Sequence, residues 1–331
     1  MKASMTDASP LLSLIPLAPI ARARLIAAGL RLHEIDAGCE AVDQADAIRL
    51  TSNASNVRFV LTNGTTGLTA VQMDALPKLE LVCAFGAGYE NIDVAAATTR
   101  GISVAHAPNT NGETVADHAL ALMLATARGL ITLDRAVKAG GWAKHRAPRP
   151  TLHGARLGVV GLGHIGHAIA TRAEGFGMSI RYHTRTPRRD CRWHHVADVG
   201  ALADASDFLV LACPGGAATH HLVNADVLAR LGADGFLVNV SRGSVVDTVA
   251  LIEALCDGVI AGAALDVFEH EPEVPSALRM LENVVLTPHV SGRSPAALHA
   301  QIDALLASLH AHLAGAPLAF PVNAVARHVA R

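Results

Sequence analysis

The chain has 331 residues, 27 Lys and Arg against 29 Asp and Glu, a formal net charge of −2, and a hydrophobic content of 51%. That length exceeds one ordinary core and argues for two domains, while near-neutral charge lacks the basic footprint of a nucleic-acid binder. No apolar run reaches the ~18 residues of a membrane span, and five scattered cysteines, Cys39, Cys83, Cys191, Cys213 and Cys256, argue against a disulfide framework.

The first ten residues, M-K-A-S-M-T-D-A-S-P, lead into a short apolar run that contains Pro16 and Pro19 and continues into Arg22 and Arg24. No small-residue cleavage pattern follows, so a first strand and cytoplasmic residence are expected. Residues 11–16 read as strand, 21–30 as helix, and 58–62, 79–85 and 102–105 as strands with helices between. This alternation predicts an open α/β domain. Residues 116–128 form a helix that is apolar nearly all round, as a helix between layers should be, and 140–150 read as a connecting loop.

The most informative stretch is R-L-G-V-V-G-L-G-H-I-G at 156–166. An apolar strand at 157–160 runs into Gly161, Gly163 and Gly166, and a helix is expected over 165–176. Gly161 permits the tight turn and Gly163 lets the backbone approach phosphates. Gly166 lets the helix pack close to the strand with its N-terminal amides aimed at the anion. About twenty residues beyond the first glycine, NAD sites place a carboxylate against the ribose. Here the chain reads I-R-Y-H-T-R-T-P-R-R at 180–189. Guanidinium and hydroxyl groups in place of an acid suit the extra phosphate of NADP, so NADP(H) is expected over NAD(H).

Beyond this point helices at 199–205, 224–231 and 247–256 alternate with strands at 208–213, 236–240, 260–267 and 284–286, a doubly wound nucleotide domain that begins mid-chain. A last helix at 295–313 most simply returns to the first domain. Three strand ends carry polar groups, where open α/β sheets bind ligands. V-N-V-S-R-G at 238–243 delivers Arg242, able to clamp a carboxylate and polarise a carbonyl. L-D-V-F-E-H-E-P at 265–272 supplies Asp266, Glu269 and Glu271, and L-T-P-H-V-S-G at 286–292 presents His289. A histidine beside a carboxylate is the expected general acid for ketone reduction, because the anion favours imidazolium. The pairs His194, His195 and His220, His221 raise a metal reading. Adjacent histidines should point to different sides and no carboxylate stands at ligand spacing, so no metal is expected.

In order and spacing these motifs resemble the D-specific 2-hydroxyacid dehydrogenase family over essentially the whole chain, and within it the NADP-dependent hydroxypyruvate, glyoxylate and hydroxyphenylpyruvate reductases. Further support comes from L-P-K-L-E-L-V-C-A-F-G-A-G-Y-E-N-I-D at 76–93, R-G-I-S-V-A-H-A-P-N-T at 100–110 and V-A-D-H-A-L-A-L-M-L-A at 115–125. The resemblance implies two Rossmann-like doubly wound parallel-sheet α/β domains with a cleft between them. Residues 1–105 and 291–331 would form a flavodoxin-like substrate-binding domain and 106–290 the NAD(P)-binding Rossmann domain, with hinges near 105–111 and 290–294.

It further implies that Arg242 binds the carboxylate and keto oxygen of a 2-oxo acid, that Glu271 pairs with His289, and that His289 donates the proton. The amides of Ala87 and Gly88 would bind the carboxylate, and Asp266 would orient the nicotinamide carboxamide. Cofactor contacts are implied at Gly161, Leu162, Gly163, His164, Ile165 and Gly166, at His183, Thr184, Arg185 and Thr186, and at Cys213, Pro214, Val240 and Ser241. A homodimer is expected, with the 115–128 helix a contributor. Two departures stand out: Glu90 occupies a place where the family more often has Asp, and C-P-G-G at 213–216 replaces a Leu-Thr-Pro-Glu type of turn. Neither touches the trio. A non-catalytic dinucleotide-sensing corepressor is a rival, but no interaction tail is evident. Glu271 argues against a formate-type enzyme, which carries an amide there. The missing acid at 183–185 argues against an NAD-linked dehydrogenase of another D-2-hydroxy acid.

Overall fold

The computed structural model describes residues 9–34, 54–142 and 146–325. Cys39, the first eight residues and 143–145 of the expected loop lie outside the described residues. The chain divides into two compact units, residues 1–111 with 294–331, and residues 112–293.

The first unit is a five-stranded sheet of β1 (Ser9–Ser13), β2 (Leu30–Glu34), β3 (Phe59–Thr62), β4 (Leu81–Ala84) and β5 (Ser103–Ala105). Its order is β2-β1-β3-β4-β5 and every pairing is parallel. Parallel strands are covered on both faces and so read as continuous apolar runs, which is why F-V-L-T and L-V-C-A are buried throughout. Phe59, Leu61, Leu81 and Cys83 face one layer with Leu25, Ile302, Leu305 and Leu309, the latter three from the helix Pro295–Leu313. Val60, Val82 and Ala84 face the opposite layer with Met73, Leu76 and Ala97. The helix expected to run to residue 30 stops at Ala27, because Gly29 turns the chain at φ 82° and Leu30 starts β2.

The second unit holds β6 (Arg156–Val160), β7 (Ser179–His183), β8 (His194–His195), β9 (Phe208–Leu211), β10 (Phe236–Asn239), β11 (Gly262–Leu265) and β12 (Val284–Leu286). They form one parallel sheet in the order β12-β11-β10-β9-β6-β7-β8. The chain moves outward from β6 to β8 and then returns to β9 on the other side, so the switch in strand order lies between β6 and β9, where doubly wound sheets bind nucleotides. Alternation divides the core: Phe208 and Val210 pack with Phe236 and Val238 on one face, Leu209 and Leu211 with Leu237 and Leu265 on the other.

The helix Gly112–Arg128 buries Val115, Ala116, Ala119, Leu120, Leu122, Met123 and Ala127 in the first of these layers. A helix not foreseen, Leu130–Lys138, follows it and buries no residue. Among the described residues no helix is long and apolar enough to cross a membrane, and Cys83, Cys191, Cys213 and Cys256 are free thiols.

Candidate active site

The glycine loop joins β6 to the helix His164–Glu174. Gly161 adopts φ 90°, and a Cβ there would lie 2.6 Å from Cys213 Cα, so both conformation and space require glycine. At Gly166 a Cβ would collide with the Gly161 carbonyl oxygen, which lets this helix sit against the loop. A Cβ on Gly163 would meet nothing within 4 Å. The open side of the loop therefore faces space, with the helix N-terminus capped by no side chain. Unpaired amides and the positive end of the helix dipole at such a place favour a phosphate. Leu162 is buried in the core, so only its backbone can meet a ligand.

At the end of β7, His183 Nδ1 lies 3.0 Å from the Val196 carbonyl oxygen and the Thr184 hydroxyl donates to Thr186 O at 2.8 Å. Arg185 and Arg189 are exposed. Arg188, also exposed, reaches back to the glycine loop: its guanidinium donates to Leu162 O at 2.7 Å and pairs with Asp190 at 2.6 Å. That hydrogen-bonded pairing holds the Asp190 carboxyl down at about 2. The buried Tyr182 hydroxyl accepts from Arg188 N at 2.9 Å, fixing the turn further. Arg188 is a residue that sequence reasoning left out of the site. It staples this basic turn to the glycine loop, and nothing in its spacing distinguishes it from Arg185 or Arg189.

Across the switch point, the chain after β9 passes Gly161 at Cys213, whose thiol burial pushes up to about 11. Gly215 packs on Arg242, since a Cβ there would be 2.7 Å from Arg242 Cγ. Arg242 follows β10, where Asn239 organises the turn. The Asn239 amide donates to Arg242 O at 2.9 Å, and its oxygen accepts from both the backbone and hydroxyl of Ser241. Val240 and Ser241 are buried, and the Ser241 hydroxyl donates to Asn239 Oδ1 at 2.8 Å.

Glu271 and His289 arrive from the loops after β11 and β12. His289 Nδ1 lies 2.8 Å from Glu271 Oε2, while Glu271 Oε1 accepts from Phe268 N at 3.0 Å. Burial raises the Glu271 pKa, but hydrogen bonding from His289, the charges of His289 and Arg242, and the Phe268 amide together bring it below the usual glutamate range. Three groups distant in sequence therefore share one electrostatic environment. An ionised Glu271 can only accept, so the proton of the pair sits on Nδ1 and Nε2 is the nitrogen left to exchange a proton with a ligand.

Asp266 is held from several sides within the protein. Its side chain is fully buried; Oδ1 accepts from the Thr287 hydroxyl at 2.6 Å and Val290 N at 2.9 Å, and Oδ2 from Ser291 N at 2.9 Å. The Asp266 carbonyl also accepts from His289 N at 2.8 Å. Asp266 is thus a clamp beneath the segment that holds His289 in a left-handed conformation, φ 51°, a strained state that such surrounding bonds make tenable. His118 Nε2, 3.1 Å from the Thr287 hydroxyl, extends this network to the helix Gly112–Arg128.

In the first unit, the loop after β4 carries Ala87 and Gly88. His106 Nδ1 lies 2.9 Å from Ala87 O and Ala107 N donates to Gly86 O at 2.8 Å, which pins the loop from the end of β5. Among the described residues neither the Ala87 nor the Gly88 amide has an acceptor within the chain.

Residues 120–291 match the family model of the D-isomer specific 2-hydroxyacid dehydrogenase NAD-binding domain. The chain belongs to that family. It is 41% identical over 277 residues to a glyoxylate/hydroxypyruvate reductase of Arabidopsis thaliana, covering 83% of this chain and 88% of the other. It is 40% identical over 274 residues to a hydroxyphenylpyruvate reductase of Plectranthus scutellarioides, covering 82% and 88%. Among solved structures, an NADPH-dependent glyoxylate/hydroxypyruvate reductase of Sinorhizobium meliloti, in complex with NADP and malonate, superposes with a TM-score of 0.87 at 39% identity, covering 98% of this chain and all of that one. The glycine loop fits the nicotinamide dinucleotide that the domain's description names, since its three glycines satisfy the turn, the open approach and the helix packing.

The expected divergence of the two adjacent histidines does not occur in this unit. The rings of His220 and His221 stack with centroids 4.0 Å apart, and Glu269, distant in sequence, brings a carboxylate to His221 at 2.7 Å. The local rule about alternating sides holds for regular strands and helices, whereas these histidines sit in a turn with His221 at φ 49°.

Proposed function

We propose that this chain is a reductase that converts small 2-oxo acids of the glyoxylate and hydroxypyruvate type to D-2-hydroxy acids, using NADPH in preference to NADH. The observation that carries this reading is the His289–Glu271 pair at 2.8 Å within the field of Arg242. The names of the similar plant and bacterial reductases support it.

NADPH, when bound along the glycine loop, supplies the hydride. Arg242 fixes the substrate carboxylate. Arg242 and protonated His289 meet the negative charge that grows on the keto oxygen, an interaction strongest in the transition state and therefore one that raises rate. His289 releases its proton from Nε2 to that oxygen, and Glu271 keeps the Nδ1 side fixed. Asp266 acts on this step from below by holding His289 in place.

The preference for NADPH rests on the exposed guanidinium of Arg185, with Thr184 and Thr186, at a strand end that lacks an acid. NADP in the Sinorhizobium meliloti relative agrees with it. Oxidation of each cofactor with glyoxylate, hydroxypyruvate, phenylpyruvate and 2-ketogluconate tests both parts. NADPH-dependent turnover of the first two is expected, and Arg185→Asp should lower the ratio of NADPH to NADH turnover at least about tenfold, the scale of one lost charged phosphate contact. No turnover with any acid would end the reductase reading, and an unchanged ratio the cofactor reading. A homodimer in the cytoplasm completes the proposal, and light scattering measures the oligomeric part.

A further inference from the structure

We propose that His220, His221 and Glu269 form a binding site for a divalent transition ion of the zinc type, joining the turn after β9 to the loop after β11. This inference concerns a site outside the trio and does not rest on the reductase reading.

One ligand atom from each of the three residues lies within 4.8 Å of the other two. Tetrahedral zinc, with bonds of about 2.0 Å, holds its ligand atoms about 3.3 Å apart. The rings of His220 and His221 are already stacked, at 26° between planes, and His221 Nε2 lies 2.7 Å from Glu269 Oε1. Widening that gap by about 0.6 Å meets the tetrahedral spacing, and the exposed His220 ring turns out of its stack to bring its nitrogen to the same distance. Two imidazoles and one carboxylate select zinc or its neighbours over magnesium or calcium, which take oxygen ligands. Three protein ligands leave the fourth position for water.

The surroundings orient the donors. Glu269 Oε2 accepts from Thr248 N at 3.1 Å, which fixes the carboxylate and leaves Oε1 toward the histidines. The other ring nitrogen of His221, Nδ1, faces Asp247 Oδ2 at 3.7 Å. Asp247 is itself held by accepting from Val249 N and Ala250 N at 3.1 Å. A carboxylate behind a ligating imidazole is the arrangement that sets its orientation at metal sites. His221 N donates to Ser244 O at 2.8 Å, anchoring the turn. His220 is exposed, so the ion has a direct path in.

Titration calorimetry tests the site on the full, tag-free chain stripped of metal, with zinc chloride as the probe and no nucleotide present. One zinc ion per chain at micromolar affinity or tighter is expected, with magnesium giving no such binding. His220→Ala and Glu269→Gln should each weaken zinc at least about tenfold. Gln at 269 retains an acceptor for Thr248 N, and metal-free melting curves matching the parent's show that the fold is intact. In the parent, zinc should raise the melting temperature; in the His220→Ala chain it should not. Micromolar zinc affinity retained in both variants, or no micromolar binding in the parent, would overturn the proposal and leave His221 and Glu269 as an ordinary ion pair.

Discussion

Two histidine–carboxylate pairs hang from the loop after β11, two residues apart, and their lengths are nearly equal: 2.8 Å for Glu271 with His289 and 2.7 Å for Glu269 with His221. What differs is the company. Glu271 feels the charge of Arg242 and accepts the Phe268 amide from its own loop, while its histidine is held in a strained conformation by Asp266. Glu269 is tied to the first turn of the helix Thr248–Cys256, and its histidine stacks on a second histidine. Pair distance alone therefore assigns neither role. A neighbouring guanidinium able to bind an oxyanion makes one pair suited to proton donation, and a second imidazole makes the other suited to a cation.

The sharpest way to break this contrast is to remove the guanidinium. Arg242→Ala should lower kcat/KM for hydroxypyruvate by about a hundredfold to a thousandfold, the scale for a lost donor to a developing oxyanion, as read from initial rates of NADPH oxidation. A loss below tenfold would detach Arg242 from the chemistry.

A smaller effect is expected at Glu271. Glu271→Gln retains shape but removes the anion, and kcat should fall by about tenfold or more. The pH dependence has a definite sign. Because the Glu271 carboxyl is depressed in the folded chain, its stabilising contribution is present above the unfolded glutamate pKa and is lost as pH falls through the lower folded value. The melting-temperature gap between parent and Glu271→Gln should thus be full at neutral pH and close in acid. A gap independent of pH contradicts the ionised pairing.

The smallest effect belongs to the other pair. His221→Gln should change kcat by no more than about threefold. The loss of stability should be about 1 kcal/mol or less, as for a partly exposed ion pair. A hundredfold loss of turnover would place His221 in the catalytic step and erase the distinction.

What could be read from the sequence follows the same division between local and distant causes. β3, β4, β9 and β10 are apolar runs buried on both faces, so composition alone reveals them. β2, L-R-L-H-E, mixes charge into a half-exposed edge and offers no apolar run, and only its first residue falls within the helix expected at 21–30. β8 has two residues, too few for a pattern, and the helix Leu130–Lys138 turns Leu130, Ile131 and Val137 outward, contrary to what apolar periodicity normally signals.

Arg242, Glu271 and His289 were legible because each stands just past an apolar run, where an α/β sheet exposes its strand ends. The clamp of Asp266 on the His289 segment and the meeting of His221 with Glu269 were not. Both depend on how loops from different strands fold over one another, and chain separation carries no information about that. The turn geometry of His220 and His221 was hidden for the same reason, since the alternation rule presumes a regular element that is absent there.

The most direct test of the central claim, that the Nε2 proton of a histidine held by Glu271 completes reduction of a 2-oxo acid, is the turnover number of His289→Ala beside the parent with saturating hydroxypyruvate and NADPH. A loss of about a hundredfold or more, with NADPH still bound as tightly as by the parent, is the predicted result. Near-parental turnover in the variant would contradict it.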